Sequence, residues 1–147
     1  MGLFDKIKSA ANAVTGHAAK VSVQVPQARL REPFNVTVQA TSTGQDVNYS
    51  KVYIKIEGVE QVEMQDKENN NRKVSASAKT VDLIFTVAPA GVLAANESGE
   101  WSIDVELPQS ATPEFKGQFT RHFYRIWAGL DTVGNDPDSG WQEIVMQ

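Results

Sequence analysis

Gln118-Phe119-Thr120-Arg121-His122-Phe123-Tyr124-Arg125-Ile126-Trp127-Ala128-Gly129-Leu130-Asp131 is the stretch whose reading decides the fold. Successive side chains of a pleated strand point to opposite faces. One parity here holds Tyr124, Ile126, Ala128 and Leu130, and the other holds Phe119, Arg121, Phe123, Arg125 and Trp127. The first set is a core-facing surface. The second alternates arginine with aromatic rings, residue types that concentrate interface energy by joining large apolar contact to directed donors. Arg121, Phe123, Arg125 and Trp127 are therefore candidate partner-binding residues. Burial of Phe123 and Trp127 beneath the N-terminal segment is the competing reading of the same face.

The same period of two runs upstream. Val21, Val23 and Val25 alternate with polar residues, as do Phe34, Val36, Val38 and Ala40. Val52, Ile54 and Ile56 alternate with Tyr53, Lys55 and Glu57, and Gly58 predicts a bulge before a continuation through Val62 and Met64. Residues 66–73 have no apolar side chain, which predicts a solvated hairpin tip. Pairing resumes with Val81, Leu83, Phe85 and Val87, then with Trp101, Ile103, Val105 and Leu107, with Pro89-Ala90-Gly91 and Asn96-Glu97-Ser98-Gly99 as breaks. The Gln118 strand leads through a loop over 134–140 to a last strand at 141–146. About seven short strands predict an all-β, antiparallel sandwich of immunoglobulin-like or arrestin-like type, with Val36, Ile54, Phe85, Ile103 and Ile126 buried between two sheets.

Residues 1–16 differ in period. Leu3, Phe4, Ile7, Ala10, Ala11 and Val14 recur at helical spacing with Lys6 and Lys8 opposite, predicting a short amphipathic helix ahead of a single sandwich domain over 17–147. A three-turn helix is marginal alone in water, so docking on the sandwich is the favoured role. In the other reading Leu3, Phe4 and Ile7 enter a membrane surface while Lys6 and Lys8 meet headgroups. Composition narrows the rest. The 147 residues and 41% apolar content suit one core, and a net charge of −4 argues against general nucleic-acid binding. With no cysteine, no apolar run of membrane-spanning length and no signal peptide, a soluble, cytoplasmic protein is expected, with peripheral membrane contact as the variant.

The order of elements resembles the opening of an arrestin-like domain. The residues that carry this are Ala19-Lys20-Val21, the strand entry Pro33-Phe34-Asn35-Val36, and Val52-Tyr53-Ile54-Lys55-Ile56-Glu57-Gly58. Glu106-Leu107-Pro108, the turn at 111–113 and Arg121-His122-Phe123-Tyr124-Arg125-Ile126-Trp127-Ala128 are similar to a later segment of that superfamily. Among bacterial branches, the chain resembles the sporulation-control arrestin-like family, whose members also begin with a short phenylalanine-containing apolar helix. That resemblance implies adaptor-like protein binding. Arrestins use two sandwiches where this chain has length for one, and their phosphate-sensing lysines and polar core have no counterpart here.

Catalytic chemistry finds little support. His17 and His122 are the only histidines, and no nucleophile elbow or zinc-binding helix motif accompanies them, so neither an enzyme nor a resident cofactor is expected. Asp131, Asn135, Asp136 and Asp138 gather hard oxygen ligands between Gly134 and Gly140, a set calcium can use, and a calcium-dependent recognition module is the alternative function. Their spacing matches no EF-hand, and an ordinary turn held by local side-chain hydrogen bonds explains the same residues. The favoured reading is a non-enzymatic adaptor or scaffold, with a regulatory role, a protein partner and a homodimer among its expectations.

Overall fold

The computed structural model describes residues 18–147. The predicted leader helix, with Leu3, Phe4, Lys6, Ile7 and Lys8, and His17 lie outside the described residues. Eight strands follow one another: β1 Ala19–Gln24, β2 Phe34–Ser42, β3 Val47–Asp66, β4 Arg72–Leu93, β5 Ser98–Val105, β6 Phe115–Lys116, β7 Thr120–Asp131 and β8 Gln142–Ile144. They form two antiparallel sheets. One has the order β1-β2-β5, and the other runs β4-β3-β7-β6, with β8 also pairing β7.

Alternation builds the core as expected. Tyr124, Ile126, Ala128 and Leu130 of β7 are fully buried, and β3 opposes them with Val52, Ile54 and Ile56. Phe34, Val36, Val38 and Ala40 of β2 complete the inner layer from the smaller sheet. Each such aliphatic side chain removed from water contributes about 1.5–3 kcal/mol, enough in sum to order the two sheets against each other.

Five expectations need correction. Phe85 and Ile103 are only half-buried, because β4 and β5 are the outermost strands of their sheets and the sandwich is open along that side. Pro89-Ala90-Gly91 does not break the chain but lies inside β4, with Pro89 opposite Lys51. An edge strand tolerates proline because the missing N–H is not needed for a second ladder. β4 also begins at Arg72 rather than near Val81: residues 72–80 are all exposed, and the alternation of Val74, Ala76 and Ala78 with serine and lysine carries too little apolar volume to mark a strand. The tip is correspondingly shorter: Asp66 pairs Arg72, leaving a 3-10 turn at Lys67–Asn69 capped by the Asp66 carboxylate. The last strand contracts to Gln142–Ile144. The bulge predicted at Gly58 is present, as a register shift between Gly58 and Val59.

Candidate interaction face and adjoining cleft

The outward parity of β7 lies beside the outward parity of β3. Register pairs Lys55 with Trp127, Glu57 with Arg125, Val59 with Phe123 and Gln61 with Arg121. On the other side of β7, Arg125 lies opposite Glu143 of β8. The four residues singled out by alternation thus share one sheet face, flanked by strands on both sides.

Charge organises the middle of this face. Glu57 is 3% exposed although it points away from the core. Arg125 donates to its Oε1 through Nε at 3.0 Å and Nη2 at 2.7 Å, and Lys79 reaches Oε2 at 2.7 Å. Burial alone raises a carboxyl pKa. Here it is outweighed by the hydrogen bonds from Lys79 and Arg125, and the Glu57 carboxyl titrates below its ordinary value of 4.5. Glu57 and Lys79 were not singled out in the sequence. The sequence signal for Glu57 is its place on the outward parity of β3 beside the bulge at Gly58; that it lies opposite Arg125 of β7 is visible only in the fold.

Aromatic rings surround that ion cluster. The Arg121 guanidinium stacks 3.8 Å from the Phe123 ring, and Arg125 lies 4.2 Å from the ring of Trp141. Trp141 meets Trp127 edge to face at 5.4 Å, and the Lys55 ammonium sits 5.8 Å from the Trp127 ring and 5.9 Å from that of Tyr53. Arg121 also donates to Glu143. The C-terminal segment therefore covers part of the face, and the leader reading for Phe123 and Trp127 falls on residues that are not described. Arg121 Nε, on this face, is a buried side-chain donor without an acceptor.

The acidic loop adjoins the same surface. Tyr53, Lys55, Trp127, Asp131, Asn135, Asp136 and Asp138 line one open cleft of about 630 Å³, so two features that are separate in the sequence meet in space. Local bonds hold the loop in shape. Asp136 accepts from the Tyr53 hydroxyl at 2.8 Å and from the Thr132 N–H at 3.0 Å, while Asp138 accepts from the Gly140 N–H at 2.9 Å. Burial pushes the Asp138 carboxyl up, and burial together with the Asp136 acceptor pushes the Tyr53 phenol up. Among the described residues, no three His, Asp or Glu side chains gather where they could hold a metal ion. The bonds from Thr132 and Gly140 are local turn bonds, whereas the one from Tyr53 ties the loop to β3.

His122 lies on the inner face, 2% exposed. Its Nδ1 is 3.1 Å from the Pro113 carbonyl, which only accepts, so the neutral ring carries its proton there and receives the Thr80 hydroxyl at Nε2, 2.6 Å away. Tyr124 donates to the Thr112 carbonyl at 2.5 Å. Both side chains pin the 111–115 segment to β7.

The described residues form a two-sheet antiparallel β-sandwich, and the resemblance drawn from the sequence holds at the level of the fold. A solved structure with this fold is Spo0M, a sporulation control protein from Bacillus subtilis. It superposes with a TM-score of 0.64 at 16% identity, over 88% of this chain and 49% of that one. This chain thus spans about half the length of that structure. A Pseudomonas fluorescens alkylpurine DNA glycosylase, AlkC, bound to DNA containing an abasic site analog, overlaps at a TM-score of 0.46 and 14% identity, covering 95% of this chain and 34% of its own, too loosely to bear on function. No protein-family model matches the sequence, and no curated protein does. No helix among the described residues is long and apolar enough to cross a membrane.

Proposed function

We propose that this chain is a non-enzymatic protein-binding module that engages its partner through the outer face of the five-stranded sheet. One observation carries the reading: Arg121, Phe123, Arg125 and Trp127 form a single cation–aromatic surface, and the buried Arg121 Nε on it has no acceptor. Each buried donor without an acceptor costs about 1–3 kcal/mol, a cost that repacking against a partner rich in carbonyl or carboxylate oxygens removes. The fold shared with a sporulation control protein supports a regulatory role.

Arg125 also neutralises Glu57, so changing it confounds binding with stability. Trp141 and Ile84, 38% and 62% exposed, are the cleaner probes. Ile84 lies opposite Lys55 in the β3–β4 register, on the same outer face. Affinity capture from the native cell, followed by mass spectrometry, is expected to lose its specific partner with Trp141→Ser and Ile84→Asp together while circular dichroism shows the variant still folded. Retention of every partner by the folded variant overturns the assignment of this face.

A further inference from the structure

We infer that the free edge of the β3–β4 hairpin in one copy of this chain pairs with the β5 edge of a second copy. β4 and β5 are the outermost strands of their sheets, so each leaves backbone N–H and C=O groups without a strand neighbour. Along β4 the pairing with β3 runs without a register shift from Arg72 to Lys79, and every residue there is exposed. Side chains at 75–78 are only serine and alanine, which lets another backbone approach closely.

Charge decides the occupant. Lysine on an edge normally guards it against strand addition, and β4 carries Arg72, Lys73 and Lys79 with no acid between them. The β5 edge is guarded by the opposite sign, with Glu100 and Asp104 exposed and Glu106 just beyond the strand. Two β4 edges aligned over 72–79 would set Arg72 against Lys79, and two β5 edges would set acid against acid. Unlike edges attract.

One antiparallel register satisfies both faces of the joined strands. With Ala76 opposite Ile103, the apolar parity Val74, Ala76 and Ala78 meets Val105, Ile103 and Trp101, small against large. The other parity then sets Lys73 against Glu106, Ser75 against Asp104 and Lys79 against Glu100. Trp101 and Ile103, half-buried at the open side of the sandwich, gain the cover they lack. Lys73 and Lys79 already hold Glu63 at 3.0 Å and Glu57 at 2.7 Å, so each would bridge carboxylates of two copies. Gln39 occupies only Oε1 of Glu100, leaving the second oxygen for the incoming lysine. Because the two contributing edges differ, a single such contact is head-to-tail and leaves one edge of each kind free at its ends for further copies.

The inference rests on the protein-binding reading only in making one partner a second copy, and it uses a different surface. Sedimentation velocity of the full chain across a concentration series is expected to show association beyond a dimer that weakens as salt rises. Lys73→Glu alone and Glu106→Lys alone each weaken it about tenfold or more, since like charges then face each other. An equimolar mixture of the two restores it. Ala76→Glu abolishes association without moving the melting temperature, while Trp141→Ser leaves association intact and so separates this inference from the outer-face reading. A monomer at every concentration, a closed dimer insensitive to the charge reversals, or a mixture that fails to associate overturns the inference.

Discussion

At the scale of single residues, Glu57 does the most to shape the outer face. Its carboxylate is buried yet bound by two cations whose side chains reach solvent, Arg125 at 31% and Lys79 at 53% exposure. Glu57→Gln keeps the shape and removes the charge, and urea denaturation is expected to register a loss of about 1–3 kcal/mol at neutral pH. The sign of the pH dependence follows from the lowered pKa. The stabilisation is present above the ordinary glutamate value of 4.5 and is lost as pH falls through the lower folded value, so Glu57→Gln is expected to flatten the acid limb of the stability profile below pH 4.5. An unchanged acid limb would assign that limb to other carboxylates. In the neighbouring loop both Asp136 oxygens already accept hydrogen bonds. Millimolar calcium is therefore expected to leave the melting temperature unmoved, and a rise abolished by Asp136→Ala with Asp138→Ala would reverse that expectation.

At the scale of elements, three tyrosines lie across glycines on the neighbouring strand. Tyr49 pairs Gly91, Tyr53 pairs Gly129 and Gly58 pairs Tyr124. A Cβ on Gly129 would stand 2.6 Å from the Tyr53 hydroxyl oxygen and 2.7 Å from its ring, so the glycine is there to let the ring lie over the backbone. Tyr53 cannot swing aside freely because its hydroxyl is bonded to Asp136. Gly129→Ala is expected to cost about 1–3 kcal/mol in the native background and much less in a Tyr53→Ala background, a coupling that a double-mutant cycle by chemical denaturation measures. Core positions give the contrasting case. Ile54→Ala and Ile126→Ala, at fully buried sites, are expected to lose about 2–5 kcal/mol, whereas half-buried Phe85 and Ile103 on the edge strands lose less.

At the scale of the whole molecule, the two sheets are unequal. β3 pairs with β7 only as far as Val62, so the end of the β3–β4 hairpin stands as two strands, and its β4 arm is exposed throughout residues 72–80. Two strands without a covering layer are marginal in water. Hydrogen exchange is expected to show amides of 72–80 opening locally far faster than those of 52–56 and 124–130, which exchange only through global unfolding. Equal protection in dilute solution would mean that something else covers the hairpin.

The sequence by itself determined the strand class, the inward sets of β2, β3 and β7, the bulge at Gly58 and the grouping of Arg121, Phe123, Arg125 and Trp127 on one side of a strand. These are consequences of a period of two, which needs no knowledge of neighbours. What only the tertiary structure decided was adjacency. That β3 and β7 lie side by side turned Glu57 into the counter-ion of Arg125, and the return of the chain through β8 placed Trp141 on the same face. That β4 is an edge explains why Pro89 sits within a strand and why Phe85 is half-exposed. The exposed arm at 72–80 was illegible for the same reason, since a strand that buries neither face keeps only the small side chains of Val74, Ala76 and Ala78 on its apolar parity, and its order comes from a ladder to β3 that only the folded chain supplies.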